Sequence, residues 1–345
     1  MHSLTLFIPG LFLPVRDLSE QDVPPLNAME KLLACANREQ LVPFGFSEAL
    51  CMLFKMERYH GNDLPIAAIT RLVDDDHSRT GIWMRADPVH LVADQRGLIL
   101  MDESTFTLDQ HDALVLAADI KDIFSSYGMK LEVPRTNRWY LNLETLPRIK
   151  TTPVHEVTGK DIHSFMPTGE EQSQWAKLIN EIQMALHGNY INQERLQRHE
   201  RIVNSLWLWG YGELPQINTC SWSRVFTDEE IAKGFSILAE VPCGDLPESL
   251  DDALDLSERE DDVLVVISFG MRHNHYHDIK GWQDFIAYLE EFWFFEMEDC
   301  IKDREIGELT LVTEYQQFTI SKSSLYKFWK RPKSIANYAS QDYTP

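Results

Sequence analysis

The chain has 345 residues, with 32 Lys and Arg against 54 Asp and Glu, which gives a formal net charge of −22. With 44% apolar and 25% charged residues it is excluded from the disordered, fibrous and membrane-spanning classes, and its length suits roughly two domains of about 150 residues. So acidic a chain also lacks the basic footprint that nucleic acid or an anionic membrane requires.

The apolar, β-rich run over 4–8, stopped by Pro9-Gly10, predicts a buried first strand, and its apolar continuation to Val15 is interrupted by Pro14. No basic region precedes this run and no cleavage site follows it, so the expected location is cytoplasmic. Five scattered cysteines without a C-x-x-C fit free thiols in a reducing compartment. Helices are predicted over 25–34 and 47–55, then a solvated loop over 74–77. Residues 87–91 read as extended, 110–124 as helix and 138–143 as strand.

The best helical pattern is 172–187, where Trp175, Leu178, Ile179, Ile182 and Leu186 form one apolar stripe. Thr168 and Glu171 have capping-box spacing ahead of it. A strand over 205–209 closes at Gly210 and Gly212, and a helix follows over 228–238. Nine acidic residues against one Arg over 244–262 predict a mobile loop. Residues 263–269 read as a buried strand, and Trp282, Phe285, Ile286, Leu289 and Trp293 as the buried face of a helix. Residues 309–312 and 317–320 read as a hairpin or a pair of edge strands. Strands and helices alternate at both ends, which predicts an α/β sheet layered by helices. The expected division is a discontinuous core over 1–80 and 201–345 with a smaller α+β domain inserted over 81–200.

Two clusters of side chains suggest chemistry. Asn180, Gln183 and His187 share one helical face, with Glu181 beside them. A His–Glu pair there can serve acid–base work, or the face can be a hydrogen-bond network that fixes the packing. In His273-Asn-His275-Tyr-His277-Asp278, alternate residues of an extended segment would point to one side and converge on a metal, against the alternative of a solvated His-rich loop. The alternating Trp207 and Trp209 suit core packing or a subunit contact, and the basic and aromatic residues of 326–333 suit a clasp over acidic surface.

The strings Asn204-Ser-Leu-Trp-Leu-Trp-Gly-Tyr-Gly-Glu-Leu-Pro215, Ala86-Asp-Pro-Val-His-Leu91 and Asn180-Glu-Ile-Gln-Met-Ala-Leu-His187, with Asn192, Arg195 and the tail Leu325-Tyr-Lys-Phe-Trp-Lys-Arg-Pro332, resemble the Rpf-type regulatory protein family, often called phosphoglycerate mutase-like. More distantly, Asn204 to Gly212 and Ile231-Ala-Lys-Gly-Phe-Ser-Ile237 look like archaeal-type cofactor-independent phosphoglycerate mutases of the alkaline-phosphatase superfamily. The resemblance implies an alkaline-phosphatase-like core in two sequence pieces with an inserted substrate domain. It implies that Asp87, His90, Asn192, Arg195 and Asn204 join the polar face, with Asp87, His90, Glu181 and His187 as catalytic candidates and Asn180, Gln183, Asn192, Arg195 and Asn204 as ligand-binding ones.

It also implies a divalent metal (Mn, Zn or Mg), with His275, His277 and Asp278 as candidate ligands, and a Ser or Thr nucleophile near Ser47, where a helix cap is the other reading. Against that pattern, the first strand ends in Pro9-Gly10 where the superfamily has Asp-Gly, and Thr313-Glu314-Tyr315 stands where it has Asp-His. The expectation is a phosphoglycerate-mutase-like protein with a degraded metal centre, a regulatory module for a small phosphorylated or carboxylate ligand. The alternatives are a divergent metal-dependent phosphoryl-transfer or hydrolytic enzyme, and an interaction scaffold that binds a protein partner or a second copy of itself.

Overall fold

The computed structural model describes residues 1–12, 23–41, 45–56, 63–75, 79–95, 97–217, 219–327 and 329–338. The expected continuation of the first run to Val15 and the Asp76-His77 end of the acidic loop lie outside them. In chain order the strands are β1 (Ser3–Phe7), β2 (Asn37–Gln40), β3 (Ile82–Asp94), β4 (Gly97–Met101), β5 (Lys130–Glu132), β6 (Tyr140–Leu143), β7 (Ile149–Lys150), β8 (Thr168–Gly169), β9 (Ser205–Gly212), β10 (Arg224–Thr227), β11 (Cys243–Gly244), β12 (Asp262–Val266), β13 (Glu308–Val312) and β14 (Gln316–Ser321). The helices are α1 (Asn27–Cys35), α2 (Phe46–Leu53), α3 (Ile66–Asp74), α4 (Gln110–Ser126), α5 (Val154–Val157), α6 (Gln172–Gly188), α7 (Tyr190–Gln197), α8 (Glu230–Leu238), α9 (Leu250–Asp255), α10 (Met271–His275), α11 (Ile279–Leu289) and α12 (Met297–Lys302). The chain is thus a mixed α/β protein, and none of its described helices is long and apolar enough to cross a membrane.

The chain divides into two compact units, one of Met1–Leu50 with Thr219–Pro345, the other of Cys51–Asn218. In the first, seven strands run in the order β11-β10-β12-β1-β13-β14-β2. The apolar run of the first strand becomes the centre of this sheet, with β1 parallel to both β12 and β13. Leu4, Leu6 and Ile8 face one core shared with α1, α11 and α12, while Phe7 on the other face stacks on Phe46 with ring centroids 5.6 Å apart. Only the last two strands run antiparallel to their neighbours, β14 to β13 and β2 to β14. The second unit is built on an antiparallel sheet in which β3 pairs with β4, β6 and β9. Met84 and Ala86 of β3 pack under α4 and α6, and Trp83 packs against Ala67 and Ala68 of α3 on the opposite face.

Several local expectations change. Residues 87–91 belong to the middle of the 13-residue β3. The capping box at 168 and 171 does not form: Glu171 precedes α6 without capping it and instead takes the backbone N–H of Arg148 at 3.1 Å and its Nε at 3.2 Å. The acidic stretch expected as a loop contains α9, because Ser249 caps it at Asp252 N and Leu250 and Ala253 supply a buried side. Strand β9 runs on through Gly210, whose φ of +67° is left-handed and whose hydrogen atom faces Ile66, 3.2 Å from where a Cβ would stand.

Candidate functional site

The loops after β1, β12 and β13 meet at the carboxyl end of the parallel strands, the position where open α/β sheets bind ligands. Backbone pairing extends past the strand ends, from Ile8 N to Val312 O and from Ile267 N to Phe7 O, each at 2.9 Å. Pro9 then turns the chain, and Gly10, at φ +77°, donates its N–H to Oε1 of Glu314 at 2.7 Å. A Cβ on Gly10 would lie 2.9 Å from Nδ2 of Asn274 and 3.4 Å from the carbonyl carbon of Gly270, so only glycine lets these loops close together.

Burial pushes the Glu314 carboxyl up to about 6, an effect that its hydrogen bond from Gly10 only partly offsets. Oδ1 of Asn274 is buried with no hydrogen-bond partner among the described residues. An unmatched buried carbonyl oxygen is a place for a hydroxyl or amine donor. The Phe7–Phe46 stack brings the first turn of α2 to the same end of the sheet; Ser47 there is fully buried, inside the helix and not at its cap.

Among the described residues, Pro9, Asn274 and Glu314 do not by themselves make a two-metal centre. Pro9 has no donor, Glu314 has one oxygen engaged by Gly10, and Asn274 offers a single neutral oxygen. Nor do the histidines supply the deficit. The 273–275 segment is helical in α10, so His273 and His275 lie about 200° apart around its axis. His277 follows in the left-handed region at φ +51°, and Asp278 caps α11, accepting Gly281 N at 2.9 Å and facing Nδ1 of His273 at 2.9 Å. The convergence expected for the alternating His273, His275 and His277 required an extended backbone, whereas 271–275 is helical; His275, His277 and Asp278 remain candidate ligands by sequence only.

In the second unit the expected polar site separates into three places. Asp87 is buried on the α3 side of β3, its Oδ1 2.8 Å from Arg85 Nε and its Oδ2 taking Trp209 Nε1 at 2.7 Å. Arg85 also donates to Thr70 Oγ1 at 3.3 Å, and burial acts against both charges of the pair. Helix α6 packs on the other side of that sheet, with Asn180 and His187 on its exposed face. Glu181 there accepts from Tyr127 Oη at 3.2 Å, and Gln183 donates to Ser205 Oγ at 3.2 Å.

The other candidates are engaged in packing. Asn192 donates to the carbonyls of Leu186 and Val203 at 2.8 Å and accepts Val203 N at 3.0 Å. Arg195 holds Arg201 O at 2.8 Å, Thr107 O at 2.7 Å and Asp112 at 3.3 Å. Asn204 exchanges two hydrogen bonds with the backbone of Leu91, at 2.7 and 2.8 Å. His90 is half-buried, with Nδ1 unpartnered among the described residues and its pKa lowered by burial.

Among the described residues one trio of metal-capable side chains lies close together, Asp109, His111 and Asp112, with donor atoms within 4.8 Å of one another. Asp109 already caps α4 through Asp112 N at 2.8 Å, and Asp112 is held by Arg195, so this trio has a structural explanation. Asn274 had no sequence signal, because an asparagine between histidines reads as loop. Arg85 had one: an R-x-D pair on a strand puts both side chains on one face.

No family model matches the chain. A 65-residue stretch is 34% identical to the 2,3-bisphosphoglycerate-independent phosphoglycerate mutase of Methanosarcina barkeri, covering 19% of this chain and 16% of that protein. A 93-residue stretch is 31% identical to the enzyme of the same name from Methanosarcina mazei, covering 26% and 23%. The matched part of the chain therefore spans less than a quarter of these relatives' length, and the relationship is a distant one. The fold is similar over 93% of this chain and 87% of the other to the PH0037 protein from Pyrococcus horikoshii, with a TM-score of 0.52 and 14% identity.

Proposed function

We propose that this distant relative of the phosphoglycerate mutases is a regulatory or ligand-binding module, of the Rpf type, for a small phosphorylated carboxylate. Among the described residues, Pro9, Asn274 and Glu314 do not by themselves supply the donors of a two-metal phosphoryl-transfer centre. One observation carries the reading: at the carboxyl end of the parallel strands, Glu314, just past β13, is turned onto the N–H of Gly10. A dinuclear centre stabilises transferring phosphate only when several anionic or imidazole donors hold both ions. Pro9 offers no donor atom, and the helical α10 does not converge its histidines on such a set. The same end of the sheet keeps one feature that suits recognition, the unmatched Oδ1 of Asn274, which would accept a ligand hydroxyl.

The test pairs calorimetric titration of 3-phosphoglycerate with mutase and phosphomonoesterase assays under Mn, Zn or Mg. Binding by the wild-type protein, weakened at least about tenfold in Asn274→Leu and unaccompanied by turnover, is the expected outcome. Metal-dependent turnover that His277→Ala abolishes would replace this reading with that of a divergent enzyme.

A further inference from the structure

The basic residues of 327–333 do not clasp the acidic surface of their own unit. Lys327 donates to Asn37 Oδ1 at 2.6 Å and to Cys35 O at 3.3 Å, and Lys330 to Ala36 O at 3.4 Å. The segment is thereby laid against the start of β2, one edge of the seven-stranded sheet. Arg331 and Lys333 are exposed and make no ion pair among the described residues, and Tyr326 and Trp329 beside them are 67% and 68% exposed. This is a basic, aromatic face on a chain of net charge −22.

The counterpart lies in the same unit. The segment that leaves β11, the opposite edge strand, carries Asp251, Asp252, Asp255, Glu258 and Glu260, all exposed and without an ion pair among the described residues, around a 54% exposed Leu256. Cationic and aromatic side chains at one edge thus match anionic and apolar ones that issue from the other, and among the described residues no ion pair joins the two within one molecule.

We propose that the 326–333 face docks the α9 segment of a second copy, in a head-to-tail contact. Such a contact uses two different surfaces, so repetition builds a ring or a filament. Charge complementarity of this kind steers association and weakens with salt, and the exposed Trp329 and Tyr326 supply aromatic anchors. The proposal is independent of the ligand reading.

Light scattering of the full chain at about 100 μM in about 20 mM and about 0.5 M salt reads it, since screening shortens from roughly 20 Å to a few ångström across that range. The weight-average mass is expected to rise at least about twofold at low salt and to return to that of the monomer at high salt. Arg331→Glu with Lys333→Glu, and separately Asp255→Lys with Glu258→Lys, should each remain monomeric with an unchanged melting temperature. Their equimolar mixture should assemble, because each reversed face then meets its opposite. A wild-type chain that stays monomeric, a single reversed variant that associates like wild type, or a mixture that stays monomeric overturns the proposal. Capture of poly-uridine by monomeric wild type, lost in Arg331→Glu with Lys333→Glu, would overturn it in favour of single-stranded nucleic acid.

Discussion

Glu314 shows how one residue can be legible in sequence while its state is not. A carboxylate near the end of a late strand is readable, but whether it holds a metal or a backbone amide depends on what folds over it. Burial raises its pKa to about 6, so its protonated form is favoured in the folded protein. Its stabilising contribution is therefore complete below the unfolded value of about 4.3 and is lost as pH rises through about 6, an effect of about 2 kcal/mol. Glu314→Gln keeps an oxygen for Gly10 N and removes the titration. Denaturation midpoints should therefore converge for the two proteins near pH 4.5, and at pH 7.5 the variant should be the more stable by about 1–2 kcal/mol. Arg85 and Asp87 make the opposite case. Both are buried and paired at 2.8 Å, so Asp87→Ala leaves a guanidinium uncompensated and should cost about 3–5 kcal/mol in urea unfolding.

At the scale of elements, periodic apolar patterns predicted the long helices α4, α6 and α11 and the core strands β1, β12 and β13, because a stripe or an apolar run needs no knowledge of the partner surface. Polar and His-rich stretches did not yield to the same reading. The 273–278 string has no apolar period, so its helical turn is set by the packing of α11 and by Asp278 at that helix's start. A cap and a metal ligand make different demands on Asp278. Asp278→Asn retains the acceptor for Gly281 N and should melt like wild type, whereas Asp278→Ala should lose about 1 kcal/mol. Elemental analysis after growth with excess Zn and Mn should find the same metal content in both variants as in wild type. Asn180 and His187 are exposed on α6, and Asp87 on the far side of β3 cannot join them.

For the molecule as a whole, the Cys51–Asn218 unit is continuous in sequence and has its own core, from Met84 through Tyr211, under α4 and α6. That unit expressed alone should fold, with a cooperative thermal transition and the circular dichroism of a mixed helix and sheet protein; a non-cooperative melt would show that it depends on the other unit. The other unit joins two distant stretches through β1, whose parallel neighbours β12 and β13 lie some 260 and 305 residues further along the chain.

From its residues alone this protein could be read as a mixed α/β chain with a buried first strand and amphipathic helices. Those features depend on side-chain chemistry and short-range spacing, which are written in order along the chain. The convergence of Gly10, Asn274 and Glu314, and the dispersal of Asp87, His187 and Arg195, were decided only when parallel pairing and sheet faces were formed. Polar side chains take whichever hydrogen-bond partners the packed backbone brings within about 3 Å, and linear order does not encode that proximity.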